Sequence, residues 1–111
     1  MDAVEIAIAR GKALEILKAH LDRERPTTAD SLSAYMEETL LLTWLARIGH
    51  PMLRSQLNGS VMTYLKDRGC VAYRAVTPAG PKGPTLLFWR LTSDGMAVLE
   101  GTKQDPGVDV R

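Results

Sequence analysis

The 111 residues amount to one domain, long enough to bury about two-thirds of its unfolded surface around a single core. Apolar residues make up 45% and charged residues 24%, a mix that excludes a disordered chain, and no stretch nears the ~20 apolar residues of a membrane span. The net charge of +1 excludes no partner by itself, but residues 50–91 hold six Lys and Arg against Asp67 alone, while the segments on either side are each acidic by two.

The first helix is expected from Ala3 to Leu21, where Val4, Ala7, Ile8, Leu14, Leu17 and Leu21 recur at helical spacing. Gly11 in its interior weakens it by up to about 1 kcal/mol and points to close packing against another backbone. The acidic start, Met1-Asp2-Ala3-Val4-Glu5, lacks the basic region of a signal peptide, so the expected compartment is the cytoplasm. Pro26 ends the helix by Arg25. Thr27, Thr28, Asp30 and Ser31 offer caps for a second helix, strongest from Glu37 to Ile48. Its Leu40, Leu41, Leu42, Trp44, Leu45 and Ile48 are too apolar for a surface stripe and predict burial on most sides. Gly49 suits a left-handed stop, and Pro51 cannot continue the helix.

A third helix is expected from Met52 to Arg68, with Leu53, Leu57, Val61 and Leu65 as its buried stripe beside Met62 and Tyr64. The remaining face presents Arg54, Ser55, Gln56, Asn58, Ser60, Thr63 and Lys66, with no acid before Asp67. Asn58-Gly59 either weakens this helix or forms a turn that delays its start to Ser60. After Gly69, strands are expected over Cys70–Val76 and Thr85–Leu91, joined as a hairpin by the Pro- and Gly-rich loop Thr77–Pro84. The single cysteine excludes an internal disulfide, and Cys70 in an apolar run reads as a small buried residue. Thr92 or Ser93 caps a last short helix through Leu99, with Met96 and Leu99 inward and Gly101 as its stop. Residues 102–111 are polar and are expected to form a mobile tail beyond a domain of residues 1–101.

Leu57-x3-Val61-x3-Leu65-Lys66-Asp67-Arg68-Gly69-Cys70-Val71 resembles the recognition helix of the winged helix-turn-helix family passing into its first wing strand. Phe88-Trp89-Arg90-Leu91-Thr92-Ser93-Asp94-Gly95-Met96-Ala97-Val98-Leu99 resembles the second wing strand entering the last helix. The chain is most similar to short winged-helix proteins of Mu-like prophages, through the Gly49-His50 turn, the Leu91-Thr92 to Gly101 ending and Pro106-Gly107-Val108. The resemblance implies a mainly α, α+β winged helix-turn-helix domain that binds double-stranded DNA, in a bacterial or prophage transcription regulator.

The residue chemistry supports the same expectation. A helix fits the major groove, where Arg pairs with guanine and Gln or Asn with adenine. Arg54, Gln56 and Asn58 near the helix start are expected to meet bases, and Ser55 a phosphate. Lys82 at the wing tip, with Arg74 and Arg90 on its strands, suits the DNA backbone. Four such phosphate contacts predict a log–log salt slope of about −3 to −4. A homodimer is expected, with Ala7 and Gly11 on the first helix as its interface. The alternative is a protein-binding adaptor that meets a phage or host protein in a packaging or assembly complex. No cofactor or metal is expected, since His20 and His50 lie thirty residues apart. Glu37-Glu38 reads as the charged start of a helix. No nucleophile with a base and no phosphate-binding glycine loop is visible, so no enzymatic activity is expected.

Overall fold

Ala3–Glu24 form the first helix, α1, in the computed structural model, which describes residues 1–110. The Asp2 side chain caps it by accepting from the Glu5 amide. The helix runs three residues past the expected Leu21 and closes at Arg25, whose left-handed φ of 47° lies just before Pro26. Ala9, Ala13, Leu14 and Leu17 form its buried stripe, while Val4, expected there, is exposed.

The expected caps at residues 27–31 start no α-helix. A short 3-10 turn, Leu32–Ala34, leads into a strand too brief to show a period, β1, Met36–Glu37. Helix α2, Glu38–Arg47, follows, capped by the Glu37 carboxylate accepting from the Thr39 amide. It is not buried on most sides: Leu41 and Leu45 are fully covered, but Leu40 and Ile48 are over 40% exposed. Gly49, with φ of 94°, makes the left-handed stop.

The third helix starts at Arg54 rather than Met52. Leu53 is its cap residue and is exposed, so it leaves the expected stripe. Arg54–Gln56 (α3) and Thr63–Asp67 (α4) are α-helical, and Leu57–Met62 between them winds as a π-helix. Asn58-Gly59 thus makes no turn but a widened helical turn, in which the Thr63 amide reaches back to the Asn58 carbonyl. Leu57, Val61, Met62 and Leu65 are fully buried.

Gly69, with φ of 74°, redirects the chain into β2, Val71–Val76, which pairs antiparallel with β3, Leu86–Leu91. β1 pairs with the other edge of β3, opposite Phe88 and Trp89. The small hairpin expected from the sequence is therefore a three-stranded antiparallel sheet in the order β1-β3-β2. Helix α5, Ser93–Glu100, is capped by the Thr92 hydroxyl, which accepts from the Gly95 amide. A Cβ on Gly95 would collide with the Cys70 carbonyl, so glycine lets α5 lie against the start of β2. The protein is a compact α+β domain whose core joins α1, α2, the third helix and the inner sheet face.

Residues 102–110, expected to be a free tail, lie along this core. The Asp109 amide donates to the Ala7 carbonyl at 3.0 Å, and a Cβ on Gly11 would strike the Asp109 carbonyl oxygen. Gly11 does pack against another backbone, as its place in α1 predicted, but the backbone is the chain's own. Ala7 and Gly11, expected to face a second copy, face this segment instead. Arg10 donates from Nη1 to the Gly107 carbonyl and from Nε and Nη2 to the Ser60 carbonyl, with its guanidinium 3.7 Å above the Tyr64 ring. The Tyr64 hydroxyl in turn donates to Asp105. Among the described residues, no helix is long and apolar enough to cross a membrane.

Candidate nucleic-acid interface

The outward ridge of the third helix holds Ser55, Gly59, Thr63 and Lys66, all exposed and none acidic. A Cβ on Gly59 would meet nothing within 4 Å, so another molecule's backbone has room there. The Thr63 hydroxyl donates to the Asn58 carbonyl, which also accepts from the Thr63 amide. Lys66 lies 5.5 Å from the Tyr73 ring centroid and 4.0 Å from Asp67. Ser60 is half-buried, and its carbonyl serves Arg10.

The three expected base readers are engaged within the chain, Asn58 inward and Arg54 and Gln56 along the surface. Asn58 Nδ2 donates to Glu38 Oε2 at 3.0 Å, and Asn58 Oδ1 is buried without a partner. Arg54 donates from Nη2 to the Thr39 hydroxyl at 2.9 Å and places Nη1 3.7 Å from Glu38 Oε1. Gln56 Oε1 accepts from the Leu53 amide and so closes the first turn of its own helix. The hub is Glu38, whose side chain is only 3% exposed. Stripping the partners from a buried charge costs roughly 3–5 kcal/mol. That exceeds the ~1–3 kcal/mol returned by one good base contact. As one of two adjacent acids at a helix start, Glu38 looks like an ordinary charged first-turn residue. Its spacing to Leu41 and Leu45 (three and seven residues) is the signal that places it on the buried face.

The strand cations do not join the third helix. Side chains alternate across a sheet, so Tyr73, paired opposite Trp89, shares the face that Lys66 approaches, while Arg74, Phe88 and Arg90 share the other. There Arg74 and Arg90 flank the ring of buried Tyr35 at 5.4 and 5.6 Å. Arg74 also donates to the Asp30 carbonyl, and Arg90 lies 3.9 Å from the Asp30 carboxylate. Both hold the segment before β1 onto the outer sheet face. Lys82 is exposed in the β2–β3 loop.

Folding also offsets part of the charge excess of residues 50–91. Acids from outside that stretch reach its cations: Glu38 meets Arg54, Asp30 meets Arg90, and Asp105 lies 4.0 Å from Arg68. Lys82 is the cation of this stretch that keeps no partner among the described residues.

Other chemistry finds little support. His20 is buried, with Nε2 2.9 Å from the Ser33 carbonyl. Burial pushes the Cys70 thiol above its usual pKa, away from the reactive thiolate. Among the described residues, no group of three or more His, Cys, Asp or Glu is gathered as a metal site would need. Comparison with family models, with curated proteins and with solved structures returns no match to this chain.

Proposed function

We propose that the chain is a winged-helix domain that binds double-stranded DNA in a bacterial or prophage regulator, with the third helix toward the major groove and the β2–β3 loop on the backbone. The helix, glycine turn, helix and hairpin in succession support this reading, with β1 completing the sheet. The observation that carries it is the exposed ridge Ser55, Gly59, Thr63 and Lys66, which meets no acid before Asp67 at its end. The Ser55 hydroxyl and the Lys66 ammonium suit phosphate oxygens, and Gly59 between them lets the DNA backbone approach. With Lys66 and Lys82 as its phosphate contacts, the salt slope falls to about −2, below the value expected from the sequence.

The test is fluorescence anisotropy with a labelled mixed-sequence duplex of about 25 base pairs at about 50 and 200 mM salt. Binding near 10 µM at low salt, weakening about sixteenfold at the higher salt, is the expected result. No binding at about 200 µM protein in low salt would overturn the reading. A protein-binding adaptor in a phage complex is the second reading. It is favoured by the exposed apolar stripe of α2, where Leu40 and Ile48 flank Trp44 at four-residue spacing with Arg47 over the Trp44 ring.

A further inference from the structure

We infer that the third helix meets duplex DNA without reading its base sequence, because Glu38 and the first turn of the helix itself hold back the side chains able to read it; the inference rests on the DNA-binding reading above. Arg54, Gln56 and Asn58 are the residues near the helix start whose donors and acceptors match base edges. Asn58 and Arg54 each engage one oxygen of the buried Glu38 carboxylate. Gln56 is spent on the amide of Leu53. What faces outward is hydroxyl, glycine and ammonium, a surface that grips phosphates and is indifferent to the order of bases. Glu38 is thus a positioning residue. Its buried carboxylate keeps its partners because an unpaired buried charge is strongly disfavoured.

The first arm of the test uses the unaltered protein. Unlabelled duplexes of unrelated sequence compete with one labelled duplex, and a randomised duplex pool is taken through rounds of selection. Affinities within about threefold of one another and no enriched motif are expected. An enriched motif, or a spread of about tenfold or more, would overturn the inference while leaving DNA binding intact. Failure to bind any duplex would remove the reading beneath it, and the inference with it. The second arm is Glu38→Gln, which keeps an acceptor for Asn58 but removes the charge facing Arg54. Binding about two- to fivefold tighter, with a salt slope steeper by about 1 and a preference among duplexes that the unaltered protein lacks, is expected as Arg54 is freed to reach base edges. Unchanged affinity and slope in a variant folded by circular dichroism would overturn the role of Glu38. Should that variant not fold, Thr39→Val, which removes the hydroxyl that accepts from Arg54 Nη2 and donates to the Glu37 carboxylate, carries the same expectation at smaller size.

Discussion

The Tyr64 hydroxyl donates to the Asp105 carboxylate across 2.6 Å and ties the third helix to a segment 41 residues further along the chain. The same carboxylate oxygen accepts from the Gly107 amide, and the Tyr64 ring lies under Arg10 of α1. Tyr64→Phe removes the donor and leaves the rest of the packing. A hydrogen bond to a charged group contributes about 1.5–3 kcal/mol, so thermal unfolding should fall by roughly 5–15 °C. A shift below about 2 °C would show that the contact adds nothing to stability.

This pair also predicts the pH dependence of stability. Burial alone would raise the Asp105 carboxyl, but hydrogen bonds from Tyr64 and the Gly107 amide, with Arg68 and Arg10 nearby, hold it below the ordinary aspartate value. Its contribution is full above the unfolded pKa of about 4 and is lost as pH falls through the lower folded value. Tyr64 is pushed the other way, chiefly by the bond to Asp105 and then by burial. Its contribution is full below the unfolded pKa of about 10 and is lost as pH rises through the higher folded value. Urea midpoints should therefore be flat through neutral pH and fall at both ends. In Asp105→Asn the acid-side fall should be shallower, and an equally steep fall would show that this carboxylate takes no part.

Two glycines in helices should respond oppositely to alanine. Alanine is the better helix former by about 1 kcal/mol. At Gly59 the added methyl meets open space, so Gly59→Ala should gain up to about 1 kcal/mol in urea unfolding. At Gly11 it would strike the Asp109 carbonyl and displace the segment that covers α1. Gly11→Ala should lose stability despite its propensity, and a gain equal to that of Gly59→Ala would contradict the packing described.

On the DNA reading, Lys82 and Arg90 separate as well. Lys82→Ala should weaken binding on every duplex by about threefold at low salt and lessen the salt slope by about 1. Arg90 lies on the outer sheet face with Tyr35 and Asp30, so Arg90→Ala should leave affinity within about twofold while lowering the unfolding temperature. A larger loss of affinity for Arg90→Ala in a folded protein would place the interface on the other sheet face.

Much of the fold was legible where determinants are local. The left-handed stops at Gly49, Gly69 and Gly101, the stripe Leu57–Val61–Leu65 and the Thr92 cap lie within a few residues of what they control. β1 was not legible, because two residues have no period and Met36 and Glu37 pair only with a strand fifty residues away. The docking of residues 102–110 depends on Gly11, Tyr64 and Arg10, none of them nearby in sequence. The candidate site was legible as a helix face and much less as a set of side chains. Charge was counted along the chain, whereas Glu38, Asp30 and Asp105 meet the cations only in three dimensions.

The bond from Tyr64 to Asp105 also fixes an order of events on the ribosome. At the usual ~5–20 residues per second, Asp105 is added roughly 2–8 s after Tyr64. For that interval α1 and the third helix have already been synthesised, while the Tyr64 ring and the face of α1 at Gly11 lack the segment that covers them. The nascent domain can therefore close only after residues 105–109 have been added, however early its helices form.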